Sequence, residues 1–258
     1  MVKRDELIKF IYQTVGEELL AKALLKDEVA NGVQWLGSNE VKKVALGVSA
    51  NEEFLLEAVK RGANFCIFHH GLDTRVWKSR YPTFSQKRLK VIIENKMTVV
   101  GLHYILDSHP EIGNNAVIIK LLGAKRRQPL FEDWGWTAEF SRPQRIEQIK
   151  AACEKLFNHK IFTVLSGPKQ VKIIGVVSGR GTPDAATLAE LEAKGVQLYI
   201  SCETSELVIH QMKESAINYF CAGHYASEVF GVQELGKKIK AAFKDKLEVE
   251  FIDVPNEI

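Results

Sequence analysis

The chain has 258 residues, 46% of them hydrophobic and 26% charged, and a formal net charge of +3 at pH 7. It is long enough to bury a full core as one large domain or as two halves, and too nearly neutral for a strongly basic nucleic-acid binder. No apolar run approaches the roughly 18 residues needed to cross a bilayer, so no membrane partner is expected.

The opening MVKRDELIKFIYQTVG places Leu7, Ile11 and Val15 at helical spacing, which reads as an amphipathic helix of the fold and not as a leader. KKVALGVS (Lys42 to Ser49) reads as a strand. EEFLLEAVKRGA follows as a helix, with Phe54, Leu55, Ala58 and Val59 on one stripe and Gly62 near its end. Asn64 to Phe68 is a short buried strand ending in His69-His70. A polar loop to Ser85, a helix through KRLKVIIEN and a strand MTVVGL ending at His103 complete a β-α-β-α-β run, the pattern of a largely parallel sheet with helical crossovers.

Residues 129–165 form a separate β-α-β excursion: a strand around WGWTAEF, a helix RIEQIKAACEKLF and a strand KIFTVL. Just before it, Lys125-Arg126-Arg127 reads as a solvated loop end. Val171 to Ser178 then resembles the first strand, and TPDAATLAELEAKG is a helix with Thr182 as its N-cap and Pro183 in its first turn. VQLYIS leads to Cys202-Glu203, a helix spans about Ser205 to Ser215, and INYFCAG leads to His224. A helix through LGKKIKAAFKDK and a strand LEVEFIDV close the chain. The expected fold is α/β, two related halves with largely parallel sheets produced by internal duplication: residues 1–128, the excursion 129–165, and residues 166–258. The cysteines, Cys66, Cys153, Cys202 and Cys221, show no CxxC spacing, and a reduced, cytoplasmic protein is the simplest expectation.

Ligands of open parallel sheets gather beyond the carboxyl ends of the strands. Four inferred strand ends carry groups of metal-ligand type: His69-His70, His103 with Asp107, Cys202-Glu203, and His224 with Glu228. Successive residues of a strand point to opposite faces, so His69 and His70 turn toward one site only past the strand end. In HYASE a helix beginning at His224 puts His224 and Glu228 on one face, four residues apart. Imidazoles and carboxylates without a thiolate set suit zinc, iron, manganese, nickel or cobalt and do not choose among them. Three histidines and two carboxylates hold two divalent ions if one carboxylate bridges, and such a pair activates a water for hydrolysis.

The segments NGVQWLGS, His69-His70-Gly71, HYILDSHPEIGNNA, SCETSELVIH, AGHYASE and FIDVPN, in this order, resemble the Nif-three-like dinuclear metal-binding family, in its short bacterial form, whose members are often labelled GTP cyclohydrolase 1 type 2 homologues. The resemblance implies two metal ions held by His69, His70, Asp107, His224 and Glu228 in the cleft between the halves. One ion falls to the second histidine and the aspartate, the other to His69 and His224, with Glu228 bridging. It also implies a ring-shaped homohexamer and hydrolytic opening of a GTP ring. The chain departs from the family at Gly47, where an Asp is usual, at Gly71, where many relatives have Pro, and at Ser201-Cys202-Glu203, where Thr-Gly-Glu is usual.

Around this set, His103 is second to the ligands or faces the substrate, and Glu203 orients a ligand or water; with Glu228 these are the candidate catalytic groups. His109 belongs near the site, His210 sits mid-helix, and His159 is expected at the surface. Cys202 is a filler or a reactive thiol. Arg75, Trp77 and Lys78, beside the histidine pair, are candidate contacts for the anion and base of a nucleotide. The SGRGT junction (Ser178 to Thr182) is a tight turn or an anion site. The favoured function is a dinuclear metal-dependent hydrolase of a phosphorylated small molecule; the alternatives are a non-enzymatic metal-binding or regulatory ring, or a ring that binds single-stranded nucleic acid.

Overall fold

The computed structural model describes residues 1–27, 29, 31–73 and 80–256. Arg75, Trp77 and Lys78 lie outside the described residues. The elements, in chain order, begin with β1 (Val2–Lys3), α1 (Arg4–Val15), α2 (Glu17–Lys26), β2 (Gly32–Trp35), β3 (Glu40–Val41), β4 (Lys43–Ser49) and α3 (Glu52–Lys60). Then come β5 (Phe65–His70), α4 (Thr83–Glu94), β6 (Thr98–Gly101), α5 (His103–Ser108), α6 (Asn114–Leu121), β7 (Lys125–Leu130), β8 (Gly135–Arg145), α7 (Ile146–Phe157) and β9 (Phe162–Val164). The chain continues through β10 (Gln170–Val176), α8 (Ala185–Ala193), β11 (Leu198–Ser201), α9 (Glu206–Glu214), β12 (Asn218–Cys221), α10 (His224–Phe243) and β13 (Glu248–Phe251). Among the described residues no helix is long and apolar enough to cross a membrane.

The first compact unit comprises residues 1–109 and 231–254. Its five-stranded sheet runs β13-β4-β5-β6-β2, parallel except where β2 meets β6. Val44 to Leu46 and Phe65 to Phe68 are buried without alternation, as befits strands covered on both faces. Asn51 caps α3 by accepting a hydrogen bond from Phe54 N at 2.8 Å, and Phe54, Leu55 and Ala58 go inward as their spacing predicts. α1 buries Leu7, Ile11 and Val15.

Gly47 and Gly71 sit where a side chain would collide with a neighbour. A Cβ at Gly47 would meet the Phe54 ring at 2.3 Å, and that ring is itself packed edge-on against Phe68. A Cβ at Gly71 would lie 1.9 Å from Gln34 Oε1, because the Gln34 amide accepts from Leu72 N at 2.8 Å and donates to Leu72 O at 2.7 Å. Each glycine makes room for a larger neighbour that is already fixed.

The second compact unit holds residues 110–230, with Pro255 and Asn256. Its sheet runs β7-β8-β10-β11-β12-β9; β10, β11 and β12 are parallel, while β8 and β9 join antiparallel. The stretch 129–165 is therefore no separate excursion, because β8 and β9 are strands of this same sheet. The closing strand differs too. β13 pairs in parallel with β4, Val249 beside Val44, so that strand and the part of α10 from Gly231 onward belong to the first unit.

Three local readings also change. Asp184, not Thr182, caps α8: its carboxylate accepts from Thr187 N and Thr187 Oγ1, both at 2.8 Å, and leaves Pro183 outside the helix. The helix start that the SGRGT junction would offer an anion is thus already held by a carboxylate. Lys125-Arg126-Arg127 forms part of strand β7, with the Arg126 guanidinium 4.1 Å over the Trp136 ring and Arg127 paired with Glu139 at 3.2 Å.

The β4-α3-β5-α4-β6 run of the first unit and the β10-α8-β11-α9-β12 run of the second have one topology, three parallel strands joined by two helices. Gly47→Ala should lower unfolding stability by about 1–3 kcal/mol through overpacking against Phe54. Urea denaturation of the variant, with Phe54→Leu added to recover part of the loss, measures this.

Candidate metal centre

In each unit the third parallel strand runs through a short turn into a helix whose first residue is a histidine. In the first unit, β5 runs through His70, so the histidine pair forms the last two residues of the strand. Its pairing with β6 has already ended at Phe68 and Gly101, so both histidines sit at the rim of the sheet. Their ring centroids are 4.6 Å apart despite the strand's alternation, and His103 stands 4.9 Å from His69 and 5.3 Å from His70. One ring nitrogen from each of the three lies within 4.8 Å of the others.

His69 is fully buried, and its Nε2 is 3.6 Å from Oδ2 of buried Asp107 on α5. The resemblance implies that the second histidine of the pair shares an ion with the aspartate; here the first stands within 3.6 Å of it. His70 is half-buried and its Nδ1 shares a hydrogen bond with Ser49 Oγ at 3.1 Å, which makes Nε2 the nitrogen suited to a ligand.

His103 is anchored by Asp27, which sequence reading missed. The Asp27 side chain is only 4% exposed. Its Oδ2 accepts from His103 Nδ1 at 2.8 Å, Asn31 Nδ2 at 2.7 Å and Tyr104 N at 3.1 Å, and its Oδ1 accepts from Val29 N at 2.9 Å. Burial works to raise this carboxyl, but the bonds from His103, Asn31 and Val29 outweigh it and hold the group below the usual carboxylate range.

In the second unit His224 opens α10, after Gly223 at φ +87°. His224 Nδ1 meets Glu203 Oε1 at 2.5 Å and its Nε2 meets Glu228 Oε1 at 3.1 Å, so the two residues do share a helix face. Glu228 is 1% exposed. Burial acts to lower the His224 pKa, yet the two carboxylates prevail and raise it to about 9.

Gly179 forms a wall of this pocket. At φ +61° it takes a conformation that suits glycine, and a Cβ there would come within 2.1 Å of Glu228 Oε1 and 3.2 Å of His224 Nε2. Gly179 N also donates to Ser227 Oγ at 3.1 Å, and that hydroxyl donates to His224 O at 2.8 Å. The nitrogen and oxygen donors in both units, buried or half-buried and without a thiolate ligand, fit a divalent transition metal.

The other candidates are placed as follows. Glu203 Oε1 lies 2.5 Å from His224 Nδ1. His159 is exposed, as expected, and its ring joins two backbone carbonyls near His224: Nε2 reaches Ala222 O and Nδ1 reaches Lys160 O, both at 2.8 Å. His210 is exposed and pairs with Glu206 at 2.9 Å on α9. His109 is the half-buried C-cap of α5, two residues after Asp107. Cys202 is buried with Sγ 3.9 Å from Val177 O, and burial pushes its thiol well above the ordinary range, the environment of a filler and not of a nucleophile.

The Duf34/NIF3 (NGG1p interacting factor 3) family model matches residues 3–257. The chain is 32% identical over 254 residues to a Haemophilus influenzae protein named GTP cyclohydrolase 1 type 2 homolog, covering 93% of this chain and 97% of the relative. An Escherichia coli K12 protein of the same name is 33% identical over 262 residues, covering 99% of each. Among solved structures, one described as protein ybgI, of unknown function, is similar with a TM-score of 0.85 at 30% identity, and covers all of both chains. TTHA1606 from Thermus thermophilus is similar with a TM-score of 0.85 at 26% identity, again over all of both chains.

Alkylation of the native protein at pH 8 should leave Cys66 and Cys202 unmodified, whereas the denatured chain reacts at all four cysteines. Peptide mass mapping reads both states, and native labelling of Cys202 would restore the reactive-thiol reading.

Proposed function

The chain belongs to the Duf34/NIF3 family, and from that premise we propose that it is a dinuclear metal-dependent hydrolase of a nucleotide or another phosphorylated small molecule. In this reading residues of both units serve a common pair of divalent ions. His69 and Asp107 would hold one, His70 and His224 the other, and Glu228 would serve both. The observation that carries it is an imidazole, buried in the first unit and half-buried in the second, beside a buried carboxylate: His69 with Asp107 at 3.6 Å and His224 with Glu228 at 3.1 Å. Carboxylates taken out of water need compensating charge, and a divalent cation among these donors supplies it.

When bound, such ions provide Lewis acidity and an activated water near neutral pH. The protein's own part is positional. Glu203 keeps Nδ1 of His224 occupied and so presents Nε2; Ser49 does the same for His70. The name carried by the Haemophilus influenzae and Escherichia coli relatives makes GTP the first compound to test. Arg75, Trp77 and Lys78 remain proposed contacts for its phosphates and base on sequence grounds, and assembly as a homohexameric ring in the cytoplasm belongs to the same reading.

Elemental analysis of the purified protein should find about two transition-metal ions per chain, and Glu228→Ala should lose metal together with metal-dependent turnover on a panel of nucleotides and phosphoesters. A native protein that holds no such metal and takes none up overturns the proposal. Full loading with no turnover on the panel would leave a metal-binding ring that is not an enzyme.

A further inference from the structure

The duplicated topology places His103 and His224 at equivalent points, each the first residue of the helix after the third parallel strand. The equivalence extends to chemistry. His103 Nδ1 is held by the Asp27 carboxylate at 2.8 Å, and His224 Nδ1 by the Glu203 carboxylate at 2.5 Å. Four residues on, each helix carries a buried acid, Asp107 or Glu228. Whatever His224 does for an ion, His103 is built to do as well.

We infer that His103 is a further nitrogen donor to the metal centre, beside His69 and His70, and that Asp27 is its positioning residue. The inference rests on the metal-centre reading above and adds a ligand to it. An ionised carboxylate only accepts hydrogen bonds, so the Asp27 contact fixes Nδ1 as an N–H and leaves Nε2 as the nitrogen placed to face an ion. Ligand atoms of His69, His70 and His103 lie within 4.8 Å of one another, close enough to converge on one ion with small rotamer adjustments. His103 is 21% exposed along its side chain, the most open of the three helix-anchored groups Asp27, His103 and Asp107. Asp27 also accepts from Tyr104 N and Asn31 Nδ2, so a purely structural role, capping α5 and fixing the turn after α2, is the competing account.

Co²⁺ titration of the full-length protein against a competing chelator separates the two, read by the visible bands of the bound ion, with circular dichroism and melting of the same samples. Outer partners of ligating histidines typically set metal affinity by about 10–100-fold, and Asp27→Asn and His103→Ala should each weaken Co²⁺ binding in that range. The double variant should bind no more weakly than His103→Ala alone, because Asp27 acts through His103. Lowered melting with unchanged Co²⁺ affinity, or losses that simply add in the double variant, overturns the inference. If Asp27→Asn does not fold, His103→Gln carries the test, and wild-type affinity in it is decisive against the proposal. A wild-type protein that binds no Co²⁺ removes the metal-centre reading along with this one. Wild-type binding that the variants leave intact removes this one alone.

Discussion

The carboxylates of Asp27, Asp107 and Glu228 are taken almost wholly out of water. An ion in that position costs several kcal/mol unless charge and hydrogen bonds around it are well placed, and much of the local architecture meets this constraint. Asp27 is surrounded by donors from a backbone turn, an asparagine, a helix start and a histidine. Glu228 shares its surroundings with His224, whose pKa rises to about 9 under the influence of Glu228 and Glu203. Asp107 lies against a fully buried histidine. Helix starts, a left-handed glycine and the ends of parallel strands all serve to bring counter-groups to these acids.

The same constraint explains why the two units repeat a device and not a sequence. A parallel strand must hand its chain to a helix, and the first turn of that helix has N–H groups without intrahelical partners. A histidine at that point projects from the rim of the sheet, and a residue four further on stands over it. The carboxylate that locks the histidine comes from different places: from the end of α2 in the first unit, from just after β11 in the second. Only the geometry at the imidazole is retained.

Most of the fold is legible in the sequence because its signals are local. The apolar runs at 44–48 and 65–68, the stripe Leu7, Ile11, Val15, the Phe54, Leu55, Ala58 face and the Ser205 helix start all appear where the sequence puts them. The closing strand escapes such reading because LEVEF states that it is a strand but not which neighbour it will have; pairing with β4 is a long-range choice. Thr182 and Asp184 are both acceptable caps, and the Thr187 amide and hydroxyl decide for Asp184. In the site, His69, His70, His103, Asp107, His224 and Glu228 stand out as polar groups after apolar runs. Asp27 does not, because it lies 76 residues before its partner in a polar stretch that resembles any helix end. Its only signature is three-dimensional.

Gln34 clasps the chain two residues beyond the histidine pair, its side-chain amide occupying both the N–H and the carbonyl of Leu72 as a neighbouring strand would. A primary amide can do this because it is donor and acceptor at once. Deamidation would replace the donor nitrogen with an oxygen and set like lone pairs against the Leu72 carbonyl. The exit from His70 would then be held on one side only, so slow chemical ageing at this one glutamine would loosen the rim on which the imidazoles stand.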